Sequence, residues 1–497
     1  MYAIIRLVAV AICATFATMV PPAAIALLAG DLGLAVQFSL VALLGGLVGA
    51  LILLSIAGRP RALTRMDGLL AVVLVWLAAT GSGTLSIAEM FDVPLASALF
   101  EATAALTTTG QSVLGERASL PVALLFWRVL LEWFGGLLTL ACLLQVVAPA
   151  GLGRLPQFTA RLFTKPRRQR AGEIGSQTLD TMTLSRSRRI AERYVLVTAG
   201  FWLAFLLSEG DILPSAMLAM VGIATGGFLF FDGAVIDRLS LPSMAILALS
   251  FLLGATSILW RSPHGGARPT FQANVEALAI VGIAATLALT LVLRLASVSG
   301  EGVIGLSAVI EGLLGATSLV ATSGIESRPG FIALLPDVAV LIVILVGASL
   351  FSTTGGVKLY RVVGLARYAE RELVNLIYPS AIMPLTVGGR PVTEDTLGAI
   401  WAYFVFAIAF VGVATFGLAM GPFNFEAAFK AAVALFTNAG LTYDALVPAT
   451  GSVEEGWPAF RDVGPALLAW SAFVMLLGRL EILVVFAALN IRFWTGR

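Results

Sequence analysis

Residues 100–113 read FEATAALTTTGQSV, and this stretch decides how the chain folds. Three threonines and a glycine follow a short apolar run from Val93 to Leu106, and longer apolar segments lie on both sides. Hydroxyl-bearing residues that end on a glycine in such surroundings are costly unless the backbone there lines water or an ion. Looser copies recur three more times, so the chain contains four such turns. The turns are Thr107-Thr108-Thr109-Gly110, Ile223-Ala224-Thr225-Gly226, Ala321-Thr322-Ser323-Gly324 and Thr437-Asn438-Ala439-Gly440.

The composition is that of a membrane protein. Of the 497 residues, 59% are hydrophobic and only 12% are charged, which is about half the charged fraction of soluble domains. Apolar runs of about 20 residues recur, long enough to cross a hydrocarbon core roughly 30 Å thick. Cys13 and Cys142 both lie inside apolar segments, which indicates packing residues and not a disulfide or a metal pair. The sequence therefore predicts an all-α polytopic membrane protein in contact with the lipid bilayer.

Clusters of lysine and arginine orient the chain. They occupy residues 59–65, 154–193 and 358–371, and basic short loops lie on the cytoplasmic side of a membrane. Two helices, at about 3–29 and 35–57, precede the first cluster, and Pro21-Pro22 predicts a kink in the first of them. Both termini are accordingly expected in the cytoplasm.

Between successive basic loops the chain carries one more apolar segment than two crossings require. Each extra segment has roughly 10–14 apolar residues, too few to span a bilayer and typical of a re-entrant helix. The predicted unit is a helix, a re-entrant pore helix, an irregular turn and a second helix. It occurs four times in the same orientation, as an internal repeat. Ordinary hydrophobic segments separated by chance glycines are the competing interpretation.

Four such units around an axis would bring the four turns together. Rings of backbone carbonyls can replace the hydration shell of an alkali cation, and threonine hydroxyls add further oxygen ligands. Glycine permits backbone conformations that a Cβ forbids, and the short helices direct their negative carboxyl ends toward the cation. Oxygen ligands without a cluster of carboxylates suit a monovalent ion better than Ca²⁺ or Mg²⁺. The turns therefore predict passage of K⁺ or Na⁺.

Five motifs resemble the membrane subunit of the Trk/Ktr superfamily of potassium uptake proteins, Trk type. FEATAALTTTGQSV and IATGGF (223–228) resemble its first two filter segments, and FWRVLLEWFGGL (126–137) resembles the helix after the first. SLFSTTGGVKLYR (349–361) resembles the gating loop of its third unit, and MLLGRLEI (475–482) its last helix. The resemblance covers essentially the whole chain.

The resemblance implies a pseudo-fourfold pore whose filter is made of the four turns, with potassium as substrate and no bound cofactor. It further implies a homodimer in the bacterial inner membrane and a cytosolic nucleotide-binding ring that regulates it. Two departures concern selectivity. Leu229 follows the phenylalanine of the second segment where a hydroxyl residue is usual, and Leu441 replaces the usual proline after Gly440. A sodium-permeable or non-selective monovalent cation transporter is therefore the alternative.

The gate residues are predicted near the third and fourth turns. Ser352-Thr353-Thr354-Gly355-Gly356 interrupts an apolar run before Lys358, and polar residues with a glycine pair should break a helix within a membrane. A plain helix end with a glycine cap is the alternative, and the resemblance favours a loop that closes the pore beneath the filter.

Arg479 lies deep in the last apolar span, where a charge is expensive and usually functional. We expect it to form an electrostatic barrier below the filter and to hold the 352–356 segment. The alternative is a structural ion pair with Glu132 or Glu311. Arg128 and Glu132 are spaced to pair on one helix, and Lys430 is an unusual cation within the fourth re-entrant helix.

Other functions are less compatible with the sequence. No nucleophile, base and orienting group can be assembled for an enzyme, His264 is the only histidine, and no nucleic-acid partner is expected. A secondary transporter of an organic solute usually shows two repeats and partly charged sites. A Gly-Gly hairpin is predicted within Met383–Val392. Together with the basic 154–193 segment it is a candidate surface for a cytosolic partner, although lipid headgroups explain these arginines equally well.

The predicted organisation follows from these features. It comprises two N-terminal transmembrane helices at 1–58, pore repeat 1 at 67–150, a basic cytoplasmic loop at 151–192, pore repeat 2 at 193–262, pore repeat 3 with the gating loop at 271–358, a cytoplasmic linker with the small hairpin at 359–396, and pore repeat 4 at 397–497.

Overall fold

The computed structural model describes most of the chain. The described residues are 1–59, 65–143, 179–257, 275–299, 305–378, 386–387, 390–391, 394–448, 452, 455–480, 482 and 485. Apart from one two-stranded sheet, the regular structure of these residues is helical. Seven of the helices in this part are long and apolar enough to cross a membrane. The structure therefore confirms the predicted all-α polytopic fold.

The chain begins with a broken helix and a straight one. Helix α1 (Tyr2–Ala17) stops just before the proline pair, and α2 (Val20–Leu28) begins with it. Proline is favoured in the first turn of a helix because its missing N–H needs no partner there. The predicted kink is thus confirmed. Helix α3 (Leu32–Ser55) follows and packs against both.

Each of the four repeats contains a long helix, a short pore helix, a turn and a further helix. Repeat one consists of α4 (Arg65–Phe91), α5 (Leu95–Leu106) and α6 (Val122–Cys142). Repeat two consists of α7 (Leu179–Glu209), α8 (Ile212–Ala224), the short α9 (Val235–Arg238) and α10 (Leu241–Ala255). Repeat three consists of α11 (Val275–Ser299), α12 (Leu306–Val320) and α13 (Asp337–Val346).

A linker precedes the fourth repeat. It contains α14 (Leu359–Ile377) and the antiparallel strands β1 (Thr386–Val387) and β2 (Arg390–Pro391), which agree with the predicted hairpin. Repeat four consists of α15 (Glu394–Ala419), α16 (Phe425–Phe436), the short α17 (Leu441–Ala445) and α18 (Pro465–Leu480).

The four repeats are arranged cyclically. Every pore helix packs against helices of its own repeat and also against the last helix of the preceding one. The inter-repeat pairs are α5 with α18, α8 with α6, α12 with α10, and α16 with α13. Because the last repeat contacts the first in the same way as the others contact each other, the arrangement closes on itself and is pseudo-fourfold.

The pore helices are buried along most of their length. Every residue of α5 from Phe100 to Leu106 is buried, and three of these residues are alanines. Helix α16 likewise buries Ala427, Ala428 and most of 430–436. Small side chains permit the close helix–helix approach that packing in lipid requires.

The third repeat departs from the prediction. The sequence predicted one apolar helix over 332–356, broken near Ser352, whereas α13 ends at Val346. Residues 347–358, hereafter the 347–358 loop, are irregular and lead into α14. The helix ends early because Gly347 has a φ of +64° and Val357 N–H donates to the carbonyl of Leu345. The interruption is therefore a loop and not a plain helix end. Most of the predicted basic loop at 151–192, and His264, lie outside the described residues.

Candidate ion pathway

The four predicted turns share one backbone conformation. Each contains a non-glycine residue in the left-handed region within two residues of the end of the pore helix, a conformation that is uncommon for residues with a Cβ. These residues are Thr108 (φ 57°), Thr225 (φ 53°), Thr322 (φ 56°) and Asn438 (φ 55°). Four such residues at the ends of four pore helices indicate one turn repeated four times.

The shared hydrogen bonds correct the alignment of the second turn. In every turn the residue after the left-handed one donates its N–H to a carbonyl five residues earlier. The donor–acceptor pairs are Thr109 to Ala104, Gly226 to Val221, Ser323 to Ser318, and Ala439 to Ala434. Gly226 therefore corresponds to Thr109, and Gly227 corresponds to Gly110.

The predicted second segment, Ile223 to Gly226, is consequently one residue too early. The equivalent segment is 224–227. The sequence contains two consecutive glycines, Gly226 and Gly227, and the hydrogen bonds align the second of them with Gly110. Ile223 takes the place that Leu106 has in the first repeat, because each lies two residues before the left-handed threonine of its turn. The turn ring is hereafter residues 107–110, 224–227, 321–324 and 437–440.

Consecutive turns contact each other all the way around the ring. Gly440 N–H donates to the carbonyl of Thr109 at 2.9 Å, and Ser323 Oγ donates to the carbonyl of Gly226. The other two junctions are glycine contacts, in which Gly110 lies against Gly227 and Gly324 against Thr442. The first, second, third and fourth turns thus form a closed ring.

Glycine is required in the ring for two different reasons. Gly110 and Gly324 have φ values of +76° and +79°, which strain any residue with a side chain. Gly227 and Gly440 are required by close approach. A Cβ on Gly440 would lie 2.7 Å from Thr109 Cγ2, and one on Gly227 would lie 2.9 Å from the carbonyl oxygen of Ser323.

Three glycines on the helices behind the ring were not predicted. Each faces the carbonyl oxygen of the residue two positions before the left-handed residue of a turn, and a Cβ there would lie 3.0 Å or less from that oxygen. The pairs are Gly135 with Leu106 (1.9 Å), Gly254 with Ile223 (3.0 Å) and Gly478 with Phe436 (2.0 Å). Because Ile223 takes the same place as Leu106 and Phe436, these contacts independently support the corrected alignment. In the sequence, the only indication of these contacts is a glycine within an otherwise apolar helix.

A buried charge cluster holds the first two turns. Arg128 Nε lies 2.6 Å from Glu101 Oε1 and its Nη1 lies 3.2 Å from Glu132 Oε2, and all three side chains are fully buried. The predicted Arg128–Glu132 pair is therefore confirmed, whereas Glu101 was missed. Glu132 accepts a hydrogen bond from Gly227 N–H at 2.7 Å, and Glu101 accepts one from Val113 N–H at 3.0 Å. The cluster thus fixes backbone on the C-terminal side of both turns.

The 347–358 loop packs directly against the turn ring. Thr225 Oγ1 donates to Thr353 Oγ1 at 3.0 Å, and Gly355 N–H donates to Thr322 Oγ1 at 2.9 Å. Gly355 also lies so close to the carbonyl of Thr437 that an added Cβ would be 1.7 Å from the oxygen. The loop therefore contacts the second, third and fourth turns.

Three side chains fix the 347–358 loop internally and at its start. Ser352 Oγ donates to the carbonyl of Ser349 at 2.6 Å, and Lys358 Nζ donates to the carbonyl of Thr354. Glu276, in the first turn of α11, accepts hydrogen bonds from Ser349 Oγ and Leu350 N–H at 2.9 and 3.0 Å. Glu276 could not be identified from the sequence, because its partners are more than 70 residues away.

Arg479 completes the contacts beneath the ring. It is buried, and its Nη2 donates to Thr108 Oγ1 and its Nε to Thr139 Oγ1, both at 2.9 Å. Its Nη1 has no hydrogen-bond partner in the described part of the chain and lines a small cavity together with Gly355 and Lys358. In that part of the chain it forms neither the ion pair with Glu132 or Glu311 nor a hydrogen bond to the loop. Arg479 and the loop together reach all four turns.

Lys430 is paired on the outer side of the fourth pore helix. Its Nζ lies 2.5 Å from Asp337 Oδ2, at the start of α13, and 2.8 Å from Glu426 Oε1. It also lies 4.9 Å from the centre of the Trp457 ring. The unusual cation thus joins α16 to the helix that leads into the 347–358 loop.

Comparisons with known proteins agree with this architecture. A family model described as "Cation transport protein", TrkH, matches residues 275–492. The chain is 29% identical to the Trk system potassium uptake protein TrkH of Vibrio parahaemolyticus and 26% identical to that of Escherichia coli K12, over 99% of each chain. The crystal structure of the potassium transporter TrkH from Vibrio parahaemolyticus superposes with a TM-score of 0.83, at 27% identity and 99% coverage of both chains.

The fold is that of a multi-pass membrane protein, and the comparisons place it beside cation transport proteins. More particularly, the chain is similar over 99% of its length to membrane proteins named Trk system potassium uptake protein TrkH, and residues 275–492 match the TrkH family model.

Proposed function

We propose that the protein takes up potassium ions across the bacterial inner membrane and that the turn ring is its selectivity filter. The observation that carries this proposal is the closed ring of four turns with the same left-handed backbone, enclosed by four buried pore helices. Relatives matched over their full length are named potassium uptake proteins. All four turns of the ring belong to one chain.

The chemistry of the ring suits a monovalent cation. Its ligands are backbone carbonyls and threonine hydroxyls, and the pore helices direct their negative ends at it. Among the described residues, no group of three His, Cys, Asp or Glu side chains could hold a metal ion. A weakly charged oxygen site releases K⁺ readily, which conduction requires.

One observation favours weaker selectivity, as in a sodium-permeable transporter. The carbonyl of Thr109 accepts a hydrogen bond from Gly440, and that of Gly226 accepts one from Ser323. Thr109, Gly226, Ser323 and Ala439 occupy equivalent positions, and their four carbonyls form one layer of the ring. Two of these four carbonyls thus already accept a hydrogen bond from another turn. A layer with fewer free carbonyls discriminates less strongly between K⁺ and Na⁺.

The proposed gate is the 347–358 loop with Arg479. Residues Ser352 to Gly356 contact the second, third and fourth turns and Arg479 contacts the first, so that ions leaving the ring must pass both. We further propose that the protein forms a homodimer with cytoplasmic termini. A cytosolic nucleotide-binding ring would control the loop, which continues directly into α14.

Growth at low external potassium tests the proposed function. Cells that lack their own uptake systems should grow when they produce this protein, and added Na⁺ in excess should inhibit growth only weakly. Strong inhibition by Na⁺ would favour the sodium-permeable alternative. Absence of growth, with the protein present in the membrane, would contradict potassium uptake itself.

Replacing Arg479 by alanine should raise basal potassium flux at least about threefold, since a positive charge beneath the ring repels cations. The measurement is ⁸⁶Rb⁺ uptake into proteoliposomes without a partner protein. Arg479→Lys keeps the charge and serves as the control, with flux close to that of the wild type. Unchanged flux in Arg479→Ala would show that the arginine is not a barrier.

Replacing Gly355 by alanine should also raise basal flux, by at least about twofold, because the added Cβ cannot coexist with the Thr437 carbonyl and shifts the loop toward its open position. The control is Gly364→Ala in α14, where the added Cβ meets only the flexible end of Ile400 at 3.3 Å. A lower flux in Gly355→Ala than in the control would mean that the loop does not obstruct the pathway.

A further inference from the structure

The carboxylate of Asp444 lies close in sequence to the glycine of the fourth turn, and the turn ring itself assigns it no role. Asp444 lies on α17, four residues after Gly440, and its side chain is exposed. In each turn the glycine comes last, on the side where the chain continues away from the pore helix. The 347–358 loop and Arg479 contact residues that precede the glycines. Asp444 is therefore at the opposite mouth of the ring from the loop.

A glutamine connects this carboxylate to the first turn. Gln111 directly follows Gly110, and its Nε2 donates to both oxygens of Asp444 at 3.1 and 3.3 Å. The Gln111 side chain is only 3% exposed, yet its Oε1 has no hydrogen-bond partner in the described part of the chain. A buried amide oxygen without a partner is costly and is a suitable ligand for a cation.

The Asp444 carboxylate lies near two arginines but forms no close ion pair with either of them. Arg117 pairs with Asp232 at 3.7 Å and Arg461 with Asp462 at 4.0 Å, whereas Asp444 has no ion pair within 4 Å among the described residues. Arg117 and Arg461 act on the Asp444 carboxylate only as neighbouring charges. Glu326, whose pKa Asp444 helps to raise, adds a second negative group nearby.

We propose that the Asp444 carboxylate and Gln111 Oε1 form an outer site that collects monovalent cations at the mouth of the filter. The inference rests on the proposed uptake function and adds a site to it. A recess lined by one sign of charge raises the local concentration of the opposite ion and its rate of entry. The carboxylate is accessible to water and lies beside the first and fourth turns, so an ion held there is adjacent to the ring.

The test compares Asp444→Asn with the wild type in ⁸⁶Rb⁺ uptake by proteoliposomes at low ionic strength. The KM should rise about three- to tenfold, while the maximal rate stays within about twofold of the wild type because the ring is unchanged. Asp31→Asn removes an exposed carboxylate that caps α3 through Leu34 N–H, a role that asparagine also fills, and is the control, with an unchanged KM. Asp444→Glu keeps the charge and should keep most of the affinity.

Ionic strength supplies a readout that a structural role would not change. Choline chloride should raise the wild-type KM and leave that of Asp444→Asn nearly constant, since screening weakens only the charged site. Equal KM values for wild type and Asp444→Asn at low ionic strength would overturn the outer site. Failure of the wild type to take up Rb⁺ or K⁺ would instead overturn the proposed function.

Discussion

Substituting serine for Gly110 is expected to abolish potassium uptake while the protein still reaches the membrane. The φ of +76° disfavours any residue with a side chain, and an added Cβ would lie 2.2 Å from the Cα of Gly227. That neighbour is backbone, so no side-chain rotation relieves the clash and the first and second turns must separate. We expect uptake to fall at least about 100-fold, as for other sites in which reacting groups are displaced by about 1 Å.

The matched control is Gly115→Ser in the same segment. Gly115 is exposed and an added Cβ there meets no atom within 4 Å, so uptake should be that of the wild type. Gly440→Ser, at the junction of the fourth and first turns, should behave like Gly110→Ser. Both ring variants are tested by growth at low potassium and by ⁸⁶Rb⁺ uptake, with the amount in the membrane measured by immunoblot. Normal uptake by both would remove the turn ring from the pathway.

The positions of the turns could be predicted from the sequence because hydroxyl and glycine residues stand out in an apolar chain. The alignment of the second turn could not, since Thr225-Gly226-Gly227 fits the pattern in two registers. The register depends on the hydrogen bond from Gly226 N–H to the Val221 carbonyl and on the packing of Ile223 against Gly254. The hydrogen bond depends on where the pore helix ends, and the packing contact joins two helices that are separate in the sequence. Neither can be read from the local order of residues.

The first residue of the 347–358 loop could not be predicted from the sequence either. The polar residues from Ser352 onward predicted a break, but the helix ends five residues before them at Gly347. A Cβ on Gly347 would lie 2.4 Å from the carbonyl oxygen of Gly355. The end of the loop therefore packs against its first residue. The order of apolar and polar residues along the sequence does not show this contact.

Burial of charge was predictable only within one helix. The spacing of Arg128 and Glu132 indicated a pair, whereas Glu101 lies 27 residues earlier on a different helix. Its side chain is fully buried, as are all residues of α5 from Phe100 to Leu106. The sequence thus showed one ion pair where the structure has a cluster of one positive and two negative groups.

This cluster makes Arg128 the side chain whose removal should destabilise the protein most. Arg128→Leu would leave Glu101 and Glu132 fully buried without a counter-charge, and breaking such a cluster costs about 3–5 kcal/mol. Uptake should be lost as well, because Glu132 would no longer hold Gly227 in place. The free energy of unfolding is measured by SDS titration of the purified protein in mixed micelles.

Arg117 provides the control for this prediction. Both arginines lie over the Phe228 ring, Arg128 at 4.6 Å and Arg117 at 5.2 Å, but the ion partner of Arg117 is the exposed Asp232. Arg117→Leu should therefore cost less than about 1 kcal/mol. Adding Glu101→Gln and Glu132→Gln to Arg128→Leu should recover part of the lost stability, since glutamine still accepts the backbone hydrogen bonds without carrying charge. Equal unfolding free energies for the two leucine variants would show that the buried carboxylates do not depend on Arg128.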